Sequence, residues 1–301
     1  QSIDQINDNA NVTYNGKYLV DGSHNSSVTA TTTSMTNQSL NTATAFDSTF
    51  NKLTDRNGNS LNIQSSDTIT FSYVKEGKTT TVSVSGASKI SDLINQVSTD
   101  IIAGTADSVI GKDVAGDTVF TADGQSALTL KANGTGIESQ ISGITFSVTD
   151  TKGNVKKSAN ALLDNFSESI RAQNGSLDNS INLQVGTKSN QAIKVGLTDM
   201  RAEALGLQAQ NGTTLNISTK EYANAAINVL DNAVQKALDQ QTTIGAVQSR
   251  LEYTSSNLTT ASENVQASES TIRDADMAKE MTNYTKNNVL MQAAQSMLAQ
   301  A

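Results

Sequence analysis

The chain has 301 residues, no cysteine, no proline, one histidine and a formal net charge of −8. Without cysteine there is no disulfide framework, thiol nucleophile or thiolate metal site, and the acidic balance disfavours nucleic-acid phosphates and anionic membranes as partners. The length suits at least two domains, and no apolar run approaches the roughly 18 residues that a membrane-spanning helix needs.

Residues 1–7 read as the tail of a helix, so the sequence reads as a fragment whose N-terminal portion is missing. Val12 to Val20 alternates around Asn15-Gly16, a pair that tolerates the positive φ of a tight hairpin turn. Asp21 to Ala45, rich in Ser, Thr and Asn with few apolar residues, reads as an extended connection over a surface. From Phe46 the pattern becomes strand-like. Leu53, Leu61 and Ile63 flank Asn57-Gly58, and Ile69, Phe71 and Tyr73 alternate with polar residues up to a turn at Glu76-Gly77. Thr79 to Ser85 then forms the second arm of a hairpin.

Ser88 to Ile102 switches to a helical period, with Ile90, Leu93, Ile94, Val97 and Ile101 on one face. Further alternating runs lie at Ala127 to Ala132 and Ile144 to Thr149, with Asp123-Gly124 and Lys152-Gly153 as breakers, followed by a weaker helical stretch around Leu162 to Ile170. Leu183 to Leu197 predicts another hairpin, and Thr198 to Leu207 a loop or short helix.

The last segment predicts a long helix from Ser218, with Glu221 three residues on as a capping box and Gly245 as the sole glycine. Leu230, Ala237, Ile244, Leu251, Leu258, Val265 and Ile272 recur at every seventh position. A neighbouring seam runs through Ala233, Gln240, Val247, Thr254, Ala261, Ser268 and Ala275, which gives the helix a coiled-coil-like edge. Six large aliphatic residues and an alanine place about 10 kcal/mol of burial at stake, which an isolated helix leaves unrealised. A joint is expected near Asp274 to Asp276. Composition follows the same division: 18 of 19 glycines precede residue 213 and all six Phe precede residue 167, while four of six Met lie among the last 25 residues.

The predicted class is therefore α+β, a long coiled-coil-like helical rod with a short β-hairpin, plus a small inserted α+β domain. The rod takes residues 1–45 and 177–272, the insert takes 46–176, and 273–301 begin a terminal helical domain.

Catalytic patterns are poorly supported. His24 is the only histidine, so no two-histidine zinc helix can form, and it sits among Gly22, Ser23, Asn25 and Ser26 in a loop. Asp55, Asn57 and Asn59 have the spacing of a calcium-loop start, but Ser60 replaces its turn glycine and no glutamate follows at the twelfth position. The Gly-Lys pairs at 16, 77 and 111 lack the earlier glycine of a phosphate loop, since positions 11, 72 and 106 hold Asn, Ser and Ala. Neither an enzyme nor a cofactor is expected.

Three separated runs carry a resemblance. Gly245-Ala246-Val247-Gln248 with Arg250-Leu251, then Ile272-Arg273-Asp274-Ala275-Asp276-Met277-Ala278, then Gln292-Ala293 with Met297-Leu298-Ala299-Gln300-Ala301 look like the C-terminal signature of bacterial flagellins. Ile3-Asp4, Tyr14-Asn15-Gly16, Leu19 and Asp21-Gly22 are similar to that family's N-terminal helix exit and hairpin. Leu183-Gln184-Val185-Gly186, Asp199-Met200-Arg201 and Leu205-Gly206-Leu207 resemble its strand pair before the C-terminal helix. The likeness covers about residues 1–25 and 180–301. It departs mildly at Ser270-Thr271, where the family commonly has Ser-Arg, and at Ile244 in place of Leu.

The resemblance implies a self-assembling structural subunit of the extracellular flagellar filament. Its implied partners are other flagellin subunits, a flagellin export chaperone on the C-terminal helix and a host toll-like receptor. It also implies that the family's N-terminal helices, which normally cover the stripe, lie outside this sequence. The helix-packing candidates are Leu230, Ala237, Ile244, Leu251, Leu258, Val265, Ile272, Met277, Met281 and Leu298. Arg250, Arg273, Asp274 and Asp276 are candidate polar contacts between subunits, the last three reading equally well as a solvated turn. A rival reading is a surface adhesin or glycan binder acting through residues 46–176, against which the shortage of Trp and Tyr for sugar stacking weighs.

Overall fold

The computed structural model describes residues 1–274 and 276–300, with the side chain of Thr105 left aside. Two compact units are present: Gln1–Leu183 with Ile193–Ile244, and Gln184–Ala192 with Gly245–Ala301. The first opens with helix α1 (Ser2–Ala10) and the hairpin β1 (Thr13–Tyr14) and β2 (Lys17–Tyr18). Strands β3 (Ser34–Asn37), β4 (Thr68–Lys75) and β5 (Lys78–Ser85) follow, then α2 (Ile90–Gln96). Next come β6 (Ile101–Asp107), β7 (Val109–Lys112), β8 (Thr118–Phe120), β9 (Ala127–Ala132), β10 (Ile141–Thr149), α3 (Lys157–Leu163) and β11 (Phe166–Ile170). The hairpin β12 (Ile181–Gln184) and β13 (Ala192–Val195) precedes the helices α4 (Lys220–Arg273) and α5 (Met277–Gln300).

Two sheets share the main core of the first unit: a three-stranded one ordered β10-β4-β5 and a four-stranded one ordered β11-β3-β9-β6. The pleat explains which residues meet there. Ile69, Phe71 and Tyr73 leave β4 on one face and join Met35, Leu128 and Leu130 from the other sheet and Leu93 and Ile94 from α2. Phe146 of β10 lies with its ring centroid 4.8 Å from that of Phe71 and 5.7 Å from that of Phe166. Tyr73 carries its hydroxyl to the edge of this core, where it donates to Asp100 at 2.7 Å while Lys75 donates to the other carboxylate oxygen at 2.9 Å.

The turns behave as their sequences predict. Asn15 and Gly16 have φ of 52° and 75°, and Glu76 and Gly77 have 49° and 69°, which is the geometry of a two-residue hairpin whose twist matches its strands. Asp55 folds back on its own turn, accepting from the backbone N–H of Asn57 and Asn59 and from the Asn59 amide, so this segment is a tight turn.

Several expectations need correction. The polar run Asp21 to Ala45 is not a surface connection throughout, because Ser34–Asn37 is a fully buried strand inside the four-stranded sheet. Its polar side chains are satisfied there: the Thr36 hydroxyl pairs with that of Thr129 at 3.0 Å, and Asn37 donates to the carbonyls of Leu162 and Leu163. The helix expected over Ser88 to Ile102 spans only Ile90–Gln96, and Ile101 instead opens β6. Leu162 to Ile170 divides between the end of α3 and β11, because Asp164 ends the helix and accepts from the Phe146 backbone N–H. Strands β6, β7 and β8 lie where the sequence showed no clear alternation.

Against the opposite face of the three-stranded sheet lies the start of α4. Val74, which alternates with the core-facing residues of β4, packs with Ala202, Leu205, Leu207, Ala225, Val229 and Ala233, and Ile3 and Ile6 of α1 close over them. The approach is tight at a bulge in β10. Gly143 has φ +65°, and a Cβ on it would stand 2.6 Å from the Ala225 carbonyl and 2.9 Å from a Val229 methyl. The bulge also releases the Ile144 carbonyl from the ladder, and Asn228 donates to it at 3.0 Å.

Candidate assembly surface

Thr219, not Ser218, caps α4: its hydroxyl accepts from the backbone N–H of Tyr222 at 3.2 Å, while Ser218 donates its own N–H to Asn216 in the preceding turn. From there the helix buries one narrow row against its own unit, comprising Ala225, Ala226, Val229, Ala233, Lys236 and Gln240. Steps of three and four residues keep most of that row on a single face.

Two polar members of the row are held individually. Lys236 donates to the Ala204 carbonyl at 2.6 Å, and burial pushes its ammonium below its ordinary pKa. Gln240 accepts from both the N–H and the hydroxyl of Thr198, which leaves its buried amide nitrogen without a partner. Arg171 ties β11 to the helix by bridging Glu168 at 3.2 Å and Asp239 at 2.5 Å. Burial pushes the Glu168 carboxyl up against the pull of Arg171 and Lys236.

None of the heptad-stripe residues lies in this buried row. Leu230 is 49% exposed and Ile244 45%, and Ala237 between them is exposed as well. With Ile6, Ala10, Val20, Met200, Leu205 and Leu207 they line an open apolar groove of about 550 Å³, into which Gln240 also faces.

In the second unit Leu251 is half-buried and Leu258 is exposed, and the two border another open groove with Gln184 and Val185. Val265 is 67% exposed, Ile272 84%, and Met277, Met281 and Leu298 of α5 are all exposed. The seam residues Val247 and Thr254 are half-buried, Ala261 and Ser268 are exposed, and Ala275 lies outside the described residues, as does Ala301 of the terminal run.

The candidate polar residues have local roles. Arg273 pairs with Glu269 one turn earlier at 2.7 Å, and Asp274 accepts from the Ser270 hydroxyl. Asp276 caps α5, accepting from the N–H of Ala278 at 3.0 Å and of Lys279 at 3.2 Å, which starts a new helix at the joint the sequence predicts. Arg250 is exposed. His24 places Nδ1 3.3 Å from the Asn179 carbonyl. Among the described residues, no helix is long and apolar enough to cross a membrane.

Sequence reasoning missed a property of the polar residues between the apolar ones. The hydroxyls of Thr254, Thr259, Thr260, Ser268 and Thr271 in the second unit each donate to the carbonyl four residues back, and Thr282 and Thr285 do the same in α5. The signal was available, since threonine in a helix interior commonly bonds in this way.

Comparison with known proteins decides what this surface belongs to. The sequence profile of the bacterial flagellin C-terminal helical region matches residues 227–301, the segment in which these exposed apolar residues concentrate. A putative flagellin of Bacillus subtilis (strain 168), YvzB, is 43% identical over 122 residues, which cover 39% of this chain and 72% of that protein. The chain belongs to the flagellin family. A second flagellin of Bacillus subtilis (strain 168) is 37% identical over 182 residues, covering 55% of this chain and 60% of the relative. That of Clostridium tyrobutyricum is 44% identical over 121 residues, 40% of this chain and 32% of its own length. The chain thus spans between about a third and three fifths of these last two flagellins.

Proposed function

We propose that this flagellin is a structural subunit that assembles with further copies into the filament of a bacterial flagellum, outside the cell and in the service of motility. The observation that carries the reading is the exposure of Leu258, Val265, Ile272, Met277, Met281 and Leu298 within the segment that matches the family's C-terminal helical region. Apolar side chains repeated along a helix and left uncovered by their own chain need a partner to gain the hydrophobic free energy they offer. In this reading the rod of 1–45 and 177–272 builds the filament wall, except that Ser34–Asn37 joins the sheets of the outward-facing 46–176 body, and 273–301 begin the terminal helical layer. A flagellin export chaperone covers the C-terminal helix before assembly, and a host toll-like receptor reads the wall-forming surface afterwards.

The test is complementation in the source bacterium with its own gene carrying Leu258→Asp and Val265→Asp together. Both side chains are uncovered, so the subunit should accumulate and fold as the unchanged protein does, while electron microscopy finds no long filaments and swimming is lost. Filaments of normal length on the doubly substituted cells would overturn the proposal.

A further inference from the structure

The two central sheets have four edge strands, and three of them are interrupted. Register shifts break β10 between Ser142 and Thr145, β11 between Glu168 and Ile170, and β6 between Ala103 and Ala106. Such bulges discourage edge-to-edge pairing. The fourth edge, β5, pairs with β4 over eight consecutive residues without a shift. Neither a charge nor a proline occurs from Thr79 to Ser88.

The hairpin turn fixes which backbone groups of β5 face outward. Lys75 and Lys78 flank a two-residue turn and so form a hydrogen-bonded pair, and alternate residues follow suit. Thr81, Ser83 and Ser85 therefore aim their N–H and C=O away from β4. Among the described residues, no backbone bond from another element reaches Thr81 or Ser83. All three residues are exposed, whereas Thr79 is buried, and Gly77 at the turn lies against Thr213 to Leu215. Val82 and Val84 point the other way and are only partly covered by the core.

We propose that β5 is a self-pairing edge, which docks antiparallel on β5 of a second copy about a two-fold axis through Ser83. That register centres on the open stretch: Ser83 faces Ser83 of the second copy, exchanging two backbone hydrogen bonds, and Thr81 faces its Ser85, whose N–H is directed outward and whose carbonyl also accepts from the Ser88 N–H at 3.0 Å. Val82 meets Val84 of the second copy on the core side, so the two half-covered valine pairs close over each other and the apolar layer continues across the joint. The only nearby charge on the strand, Lys78, falls outside the paired stretch. This pairing is independent of any assembly through residues 227–300.

The chain contains no cysteine, so single cysteines report the register directly. Across a hydrogen-bonded antiparallel pair the Cα atoms are about 5.5 Å apart, within the range a disulfide spans. Under mild oxidation of the full chain, Ser83→Cys should form covalent dimer about tenfold faster than Thr81→Cys, whose own copy is displaced along the strand. Ser83→Lys, which sets two like charges directly opposite, should weaken reversible dimerisation in sedimentation equilibrium by about threefold. Association driven by the helical segment would raise the mass of every variant alike and would not favour position 83. Equal cross-linking at 81 and 83, or a dimerisation equilibrium unmoved by Ser83→Lys, would overturn the proposal.

Discussion

Two residues set how closely this fold tolerates change. Gly143 occupies a left-handed conformation at the point where α4 crosses β10, so Gly143→Ala adds both backbone strain and a collision with the Ala225 carbonyl. The expected loss is about 2–6 kcal/mol, combining strain of roughly 1–3 kcal/mol with overpacking of similar size, read as a lowered urea midpoint at unchanged slope. Gly153, also at positive φ but with open space around it, provides a milder comparison.

Asp164 reports on pH. Burial raises its carboxyl from 3.8 to about 6, outweighing the hydrogen bond from Phe146 that pulls the other way. Because the folded state holds this proton more tightly than the unfolded chain does, the group favours folding most below its ordinary pKa. That advantage is lost as pH rises from 3.8 through about 6, and no further change follows above it. Asp164→Asn keeps an acceptor for Phe146 and removes the titration. The stability of the native protein relative to this variant should therefore fall across that window. Lys220 and Glu221, which border the same cavity, are common to both and cancel in the comparison. Parallel stability curves for the two proteins would show that Asp164 is ionised normally.

At the level of elements, the caps are the most direct test. Thr219→Ala removes the acceptor for the Tyr222 N–H and should cost about 1 kcal/mol, seen in thermal unfolding. Asp276→Ala should fray the first turn of α5, measurable as faster amide exchange at Ala278 and Lys279 with the rest of the chain unchanged. The sequence told much here and missed some. Hairpins built on Asn15-Gly16 and Glu76-Gly77 were legible because positive φ leaves few residue choices, and α4 was legible from its period. Strand β3 was not, since Thr36 and Asn37 are polar and only their cross-sheet partners make them fit for burial. The capping threonine was missed by one position because Ser218 and Thr219 are equally good candidates until the preceding Asx turn engages Ser218. In the assembly surface the repeat showed where apolar residues fall. Which row the chain buries itself was decided by Ala202, Leu205 and Leu207, distant in sequence and brought under Val229 and Ala233 by the fold.

On the scale of the whole molecule, the packing of the first unit and the exposed helix of the second place different demands on one chain. Apart from the open groove along Leu230 to Ile244, the first unit packs its apolar residues through two sheets and the start of α4, so substitutions in that core are expected to act on stability. The helices of the second unit, from Gly245 to Gln300, expose residues that contribute little to the isolated fold, so substitutions there are expected to act on association. The Leu258→Asp, Val265→Asp pair and Gly143→Ala therefore form opposed controls. The first pair should leave the unfolding transition of the lone subunit in place, and the second substitution should shift it.

The threonine and serine hydroxyls along α4 and α5 extend that difference beyond the apolar residues. Stripping water from a polar group is costly only when its bonding capacity goes unmet, and these hydroxyl protons are already committed to carbonyls of their own helix. To a neighbouring chain such a threonine presents mainly its methyl. The helix is therefore greasier in contact than its composition suggests: it stays wettable while alone, yet dehydrates at small penalty at these threonines.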